Sequence, residues 1–386
     1  MQGSRLREED EMKFVVEREP LIDAVNWVAR SLSTRPISPS LLGIMIEVTD
    51  TITLTGSDLE TATKAVLHAD ISTPGKVLVP GRLLAEIARA LPQKSIAFTL
   101  DGTRVLVTAG SAKFTLPTLS VNDYPTLPEL PETAGEIASD IFTTAINQVA
   151  IAAGKDDSLP TLTGVHIEIK GSTITLAATD RYRLAVKEIS WAPTNEAMES
   201  STLLRARTLS DAAKSLVSNP QVTFALSQNS AKERLVGFVS EEKTMTSRTL
   251  DGTFPPFRHL LPQESTAQAT IAVSQLLDSV RRVALVTDKT VPLRLIFSEG
   301  SLQLEAGAGE EAQATETLEI EYTGEPINIA FNPTFLTDGL QALNSAFVHI
   351  SFTGANKPAV LSGKSEVDGE INQGYKYLLM PMRYTS

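Results

Sequence analysis

The stretch GVHIEIKGSTITL, residues 164–176, alternates apolar and polar side chains on both sides of a Lys170-Gly171-Ser172 turn. That pattern reads as two antiparallel strands, Gly164 to Ile169 and Thr173 to Leu176, joined by a hairpin connection. The same design returns as GIMIEVTDTITL at 43–54 and as LRLIFSEGSLQL at 293–304. Leu54, Leu176 and Leu304 close the three hairpins and lie about 125 residues apart, so the chain carries an internal repeat of long period.

Outward from each hairpin the copies continue to agree. A strand-like stretch feeding an apolar helix precedes each one: Lys13 to Val16 into Leu21 to Leu32, Ile137 to Ile141 into Phe142 to Ala153, and Ala269 to Val273 into Leu276 to Val286. Leu21, Ala24, Val25, Val28 and Leu32 follow the 3.6-residue period of one helix face. A second strand and helix follow, with helices over Gly81 to Leu91, Thr208 to Val217 and Pro333 to Leu343, and further strands close each unit. The spacing therefore predicts an α+β fold of three tandem copies, each with two helices on one face of antiparallel sheet. Domains are expected at 12–130, 137–262 and 266–386, after a polar extension at 1–11, with linkers rich in proline and acid between them. Free edge strands on such units could pair to form an arc, and an arc can close with a second chain.

Composition limits the chemistry. The 386 residues are 42% hydrophobic and 21% charged with a net charge of -12, which suits a multidomain globular protein and argues against a uniformly basic nucleic-acid binder. No apolar run reaches the length of a spanning helix and no signal peptide opens the chain, so a cytoplasmic protein is expected. The absence of cysteine removes disulfides, thiolate metal sites and a cysteine nucleophile. His68, His166, His259 and His349 are scattered without metal-ligand spacing, and no metal or cofactor is expected. No phosphate loop or Gly-x-Ser-x-Gly elbow occurs, and Gly307-Ala308-Gly309 lacks the rest of a dinucleotide fingerprint. Asp156 and Asp157 are adjacent rather than facing, and Asp180 among arginines reads as an ion pair, so an enzyme is not expected.

Three separated motifs then give the chain a family likeness: Ala178 to Val186 (ATDRYRLAV), Leu250 to Pro255 (LDGTFP) and Leu378 to Arg383 (LLMPMR). With these the chain resembles the bacterial sliding clamp of the replicative polymerase, the DNA polymerase III beta subunit, from Met12 to Tyr384. The resemblance implies a head-to-tail homodimer of three-domain chains, closing a ring that holds duplex DNA by topology without reading its sequence. It also implies a groove that receives short linear peptides from the polymerase, the clamp loader and repair proteins, and that peptide-mimicking inhibitors could occupy.

Carried over by position, the groove comprises Leu162, Thr179, Arg181, Tyr182, Arg183, Leu184, Pro255, His259, Leu260, Leu378, Leu379, Met380, Pro381, Met382 and Arg383. Taken alone, Met380 and Met382 would read as core filler and Tyr182 as a packed aromatic. Together these residues suit an apolar slot in which methionine adapts to several partners. Arg183 is expected to hydrogen-bond a peptide carbonyl or amide, and removal of Leu378 to Arg383 to abolish docking in a folded chain. His259, Lys357 and Ala359 depart from the family pattern at the rim. The expected DNA-facing residues are Arg35, Arg82, Arg89, Arg205, Arg207, Lys214, Arg281 and Arg282, most of them on helices whose basic excess contrasts with the acidic remainder. The loop Asp156 to Thr161 lacks the tyrosines with which other members meet DNA. Phe114 and Leu116 on one side, with Leu285 and Val286 on the other, match the apolar dimer seam. A repeat scaffold that binds proteins without enclosing DNA is the competing reading.

Overall fold

The structure, a computed structural model, describes residues 11–216, 219–227, 234–262, 264–286, 288, 291–307 and 312–383. Residues 1–10 of the expected extension, Val217 of the expected fourth helix, and Ala308 and Gly309 lie outside them.

The first copy runs β1 (Glu11–Val16), α1 (Arg18–Ala29), β2 (Gly43–Val48), β3 (Ile52–Ser57), β4 (Thr61–Leu67), β5 (Asp70–Thr73), β6 (Gly75–Pro80), α2 (Gly81–Ala90), β7 (Ile96–Asp101), β8 (Arg104–Ala109) and β9 (Ala112–Pro117). The second runs β10 (Thr133–Ala138), α3 (Ser139–Ala150), β11 (Gly164–Lys170), β12 (Thr173–Thr179), β13 (Arg183–Ser190), β14 (Ala192–Pro193), β15 (Glu199–Arg205), α4 (Ala206–Ser215), β16 (Gln221–Leu226), β17 (Leu235–Ser240) and β18 (Lys243–Arg248). The third runs β19 (Ala267–Ala272), α5 (Val273–Val283), β20 (Leu293–Ser298), β21 (Ser301–Ala306), β22 (Ala314–Glu319), β23 (Glu321–Thr323), β24 (Ile327–Phe331), α6 (Pro333–Ala342), β25 (Phe347–Phe352), β26 (Ala359–Lys364) and β27 (Tyr375–Leu379). Element for element, the three copies repeat one order.

The first helix of each copy begins a turn earlier than its apolar period suggests, at Arg18, Ser139 and Val273. A first turn need not be apolar, because its backbone N–H groups already face outward, and Pro20 fits there for the same reason. The strand β1 likewise starts at Glu11, one residue inside the expected extension.

The chain divides into two compact units, and the division passes through the second copy. One unit holds residues through Asp140 with Ala192–Asn195 and Asp211–Thr249. Its nine-stranded sheet runs β14-β10-β16-β17-β18-β4-β3-β2-β6, and a five-stranded sheet runs β5-β1-β7-β8-β9. The other unit holds Ile141–Trp191, Glu196–Ser210 and residues from Leu250 onward. There a nine-stranded sheet runs β15-β11-β12-β13-β27-β26-β25-β19-β23, and a four-stranded one runs β22-β21-β20-β24. Strand pairing between successive copies, β18 with β4 and β27 with β13, is what makes each large sheet continuous.

Within the first unit α1 packs on β3, β4 and α2, and α2 on β2 and β6. Leu21, Ala24, Val25, Trp27 and Val28 of α1 are buried, and each large apolar side chain among them contributes about 1.5–3 kcal/mol. The Trp27 indole N–H is satisfied by the Lys64 carbonyl at 3.1 Å. In the second unit α5 packs on α6, β21 and β22. Asn332 caps α6 by accepting from the Thr334 and Phe335 N–H groups at 2.9 and 3.1 Å, ahead of Pro333 in the first turn. That cap fixes where Phe335 and Asp338 project.

A candidate peptide-docking groove

The groove is built in the second unit around the connection from β12 to β13. Asp180 folds it: one carboxylate oxygen accepts the Tyr182 and Arg183 N–H groups at 3.1 Å each. Arg181 sits at the crest with φ +79°, in the left-handed region. Thr179 closes the turn, its hydroxyl donating to the Arg183 carbonyl at 2.7 Å. The result is a tight turn that raises Arg181 and Tyr182 into solvent, Tyr182 being 57% exposed, while Arg183 points inward at 5%.

A charge this deeply placed needs partners. Arg183 Nε donates to Asp180 Oδ2 at 3.0 Å, Nη1 to Asp338 Oδ2 at 2.7 Å, and Nη1 also to the Tyr377 hydroxyl at 3.4 Å. Its guanidinium lies 4.2 Å from the centroid of the Phe335 ring, a cation–π distance. Burial works to lower the Arg183 pKa, but Tyr377 and the two carboxylates outweigh it and hold the group above its ordinary range. Burial pushes the Tyr377 hydroxyl up, so it stays protonated and donates to the Phe335 carbonyl at 2.9 Å. Nε and Nη1 of Arg183, the residue expected to hydrogen-bond a peptide, are thus engaged within the protein.

The C-terminal segment supplies the other wall. Leu184 pairs with Leu378 and Arg183 with Leu379 across β13 and β27, then the Met380 N–H donates to the Tyr182 carbonyl at 2.9 Å and the Met382 N–H to the Ala330 carbonyl at 2.8 Å. These bonds hold the segment beside the turn while its methionines, each 36% exposed, remain available on the surface. Leu378 and Leu379 are buried at 1% and 0%, so they are floor and strand core; deleting Leu378 to Arg383 would remove part of a central strand as well as the lip.

Under this surface lies one apolar cluster of Ala177, Leu184, Val186, Leu203, Phe254, Phe257, Val360 and Leu378. Phe254 and Phe257 anchor the segment that carries Pro255, His259 and Leu260, all exposed, with Leu260 at 40%. His166 stacks on Phe254 at 5.1 Å, and Arg258 pairs with Glu168 at 2.6 Å, fixing the same segment from its other side. Leu162 lies buried in the short helical turn Pro160–Thr163. Ala359 is wholly buried opposite Leu379, beneath the rim where sequence reading had put it, whereas Lys357 is exposed.

Profile matches cover the chain in series: the DNA polymerase III beta subunit N-terminal domain over residues 12–128, its central domain over 136–256 and its C-terminal domain over 258–383. The chain belongs to the DNA polymerase III beta subunit family. A beta sliding clamp of Streptomyces coelicolor is 47% identical, across 96% of this chain and 99% of its own. The beta sliding clamp homolog GriR of Streptomyces muensis is 42% identical, across 97% and 100%. Among solved structures of the beta subunit family, the Pseudomonas aeruginosa sliding clamp bound to griselimycin superposes with a TM-score of 0.88 at 28% identity, covering 97% of this chain and 100% of that one.

The beta subunit motifs point to the turn, the tail and the Leu250 to Pro255 segment that holds Phe254, but not to Phe335, Asp338, Tyr377, Val360 and Phe257. Phe335 and Asp338 stand three apart on α6, a spacing that puts them on one face, yet nothing local ties them to an arginine 155 residues away.

The remaining basic residues are less uniform than their helix positions suggest. Arg282 forks onto Glu316 through Nε and Nη2, and Arg89 donates to the Ala85 carbonyl of its own helix. Arg205 lies 3.7 Å from Asp157 and Arg281 3.7 Å from Asp278, both between exposed groups and therefore weak. Arg35, Arg82, Arg207 and Lys214 are exposed.

Proposed function

We propose that two copies of this chain close head to tail into a ring that encircles duplex DNA and docks linear peptides of the replicative polymerase, clamp loader and repair proteins in the groove. The observation that carries the ring is a junction made twice and left open once. Third strands of successive three-strand runs pair antiparallel: β18 meets β4 with Met245 opposite Thr63, and β27 meets β13 with Tyr377 opposite Ala185. Met245 and Tyr377 hold one place in the repeat, opposite Phe238 and Leu361; Thr63 and Ala185 hold another, opposite Gly56 and Ala178. The remaining members of those two sets are Phe114 on β9 and Ala314 on β22, and both strands are sheet edges.

Among the described residues the outer edges of β9 and β22 carry no further strand, and these two edges are complementary, so a second copy satisfies both. In the repeated register Phe114 of one chain stands opposite Ala314 of its partner. Leu116, buried at 0%, then continues as core beneath the seam, while Phe114 and the 83% exposed Leu285, with Val286 beside it, cover it. Because the chain has no cysteine, the register is directly testable. Phe114→Cys combined with Ala314→Cys should give a disulfide-closed dimer under mild oxidation; a monomer, or cross-linking only from other register pairs, would reject the seam.

Inside such a ring the exposed Arg35, Arg82, Arg207 and Lys214 supply a shallow attraction for phosphates, with Arg89, Arg205, Arg281 and Arg282 contributing less because their groups are already engaged. The domain limits 12–130, 137–262 and 266–386 follow the repeat of strands and helices. The protein would act without a catalytic site of its own, as a cytoplasmic processivity factor; among the described residues no helix is long and apolar enough to cross a membrane. Docking in the groove is tested by Met380→Ser with Met382→Ser, which leaves β27 intact. Affinity for a labelled polymerase-tail peptide should collapse, and an unchanged affinity would move the docking site elsewhere.

A further inference from the structure

We propose that Asp338 is a positioning residue of the docking groove: through the buried Arg183 guanidinium it holds the turn bearing Tyr182 against α6, and so sets the width of the slot. The inference rests on the reading of this groove as the docking site and adds the device that keeps it shaped.

The repeat provides an internal comparison. In the first copy Ser57 pairs with Ala62 as Thr179 pairs with Leu184 in the second, so Asp58-Leu59-Glu60-Thr61 and Asp180-Arg181-Tyr182-Arg183 are equivalent four-residue connections. They fold alike. Asp58 Oδ1 accepts from the Glu60 and Thr61 N–H groups at 3.1 and 2.7 Å, and Leu59 has φ +78° against +79° for Arg181. The neighbouring strand arrives in the same way, the Arg248 N–H donating to the Glu60 carbonyl at 2.8 Å as Met380 donates to Tyr182.

What differs is the fourth residue. Thr61 stands where Arg183 stands and lies 3.3 Å, hydroxyl to hydroxyl, from Ser247 of its own sheet. The aspartate corresponding to Asp338, five residues before the leucine that ends the helix, is Asp211. The turn and its left-handed residue therefore form without an arginine at the fourth position; there Arg248 of the neighbouring strand donates through Nε to the Leu59 carbonyl at 3.3 Å, and the ion pair to a helix is made by Lys243 with Asp23 at 2.7 Å. A buried guanidinium held between the aspartate of the turn and an aspartate of the facing helix is thus not needed to fold the turn; it occurs at the junction whose lip carries exposed Tyr182, Met380 and Met382.

The geometry states what the addition does. Phe335 lies between Arg183, at 4.2 Å, and the Tyr182 ring, at 6.4 Å between centroids. Asp338, one turn further along α6, draws Arg183 onto that ring, and Tyr182 follows because it is the preceding residue. Asp338 is a third exposed and need not touch a docked peptide to act.

The test uses full-length dimer and fluorescently labelled griselimycin as probe. Asp338→Asn should weaken binding about tenfold, the scale of one charge-assisted hydrogen bond. Tyr182→Ala should weaken it too, and in that background Asp338→Asn should cost little more, since both act through one lip. Asp211→Asn should bind like the parent. Unchanged binding by Asp338→Asn, or losses that multiply independently with Tyr182→Ala, would overturn the proposal and leave the docking site standing. Failure of the parent protein to bind the probe would remove the docking reading itself, and this proposal with it.

Discussion

Arg183 shows how the partners of a residue can lie beyond the reach of its motif. Its motif leads to the expectation of a groove residue, but its partners in the structure, Asp338, Tyr377 and Phe335, come from α6 and β27 and are joined to it only by tertiary packing. Removing it leaves Asp338 without this ion pair and Asp180 with only its two backbone N–H partners. Arg183→Ala should lower stability by about 2–3 kcal/mol in urea unfolding, less than for a fully buried pair because Asp338 is partly exposed. Titration at His166 and His349 belongs to the same scale. Burial lowers both imidazole pKa values below the ordinary 6.5, with Arg258 adding to the effect at His166 against Glu168, and Lys364 adding to it at His349. The unfolded chain thus takes up protons near pH 6.5 that the folded chain refuses, and stability present above that pH is lost as pH falls towards 5. His349→Gln should flatten this dependence in denaturant titrations at pH 5 to 7; an unaltered slope would show that His349 does not contribute.

Helices and hairpins were legible because each carries its own period. The three quoted hairpins occur where their alternation puts them, and the second helix of each copy lies within two residues of its expected limits at the start and at the end. Third strands were harder: β4, β13, β18 and β27 are buried by pairing with the next copy, so a sequence window centred on one copy lacks the partner that makes them strands. At α6 two local rules conflict in a measurable way. Gly339 weakens the helix intrinsically by about 1 kcal/mol relative to alanine. A Cβ there would lie 2.3 Å from the Tyr377 ring, which is fully buried and hydrogen-bonded at its hydroxyl, so it cannot yield. Overpacking of this kind costs about 1–3 kcal/mol. Gly339→Ala should therefore lower the melting temperature despite better helix propensity, and a rise would mean that α6 can shift away from β27 freely.

At the scale of the whole molecule, the repeat has the fold for its direct consequence and the assembly for its indirect one. Three like copies make two internal strand junctions and leave one pair of matching edges, β9 and β22. Leu285→Asp should weaken the seam by placing a carboxylate against its apolar cover, and the mass in solution at micromolar concentration should shift from dimer towards monomer. The competing scaffold would share the three copies and the groove but would have no use for a closed circuit. Retention on DNA separates the two. Dimer closed through Phe114→Cys and Ala314→Cys after loading onto circular duplex DNA should remain bound through a high-salt wash and be released when the circle is cut with a restriction enzyme. Equal loss from intact and cut circles would contradict encirclement.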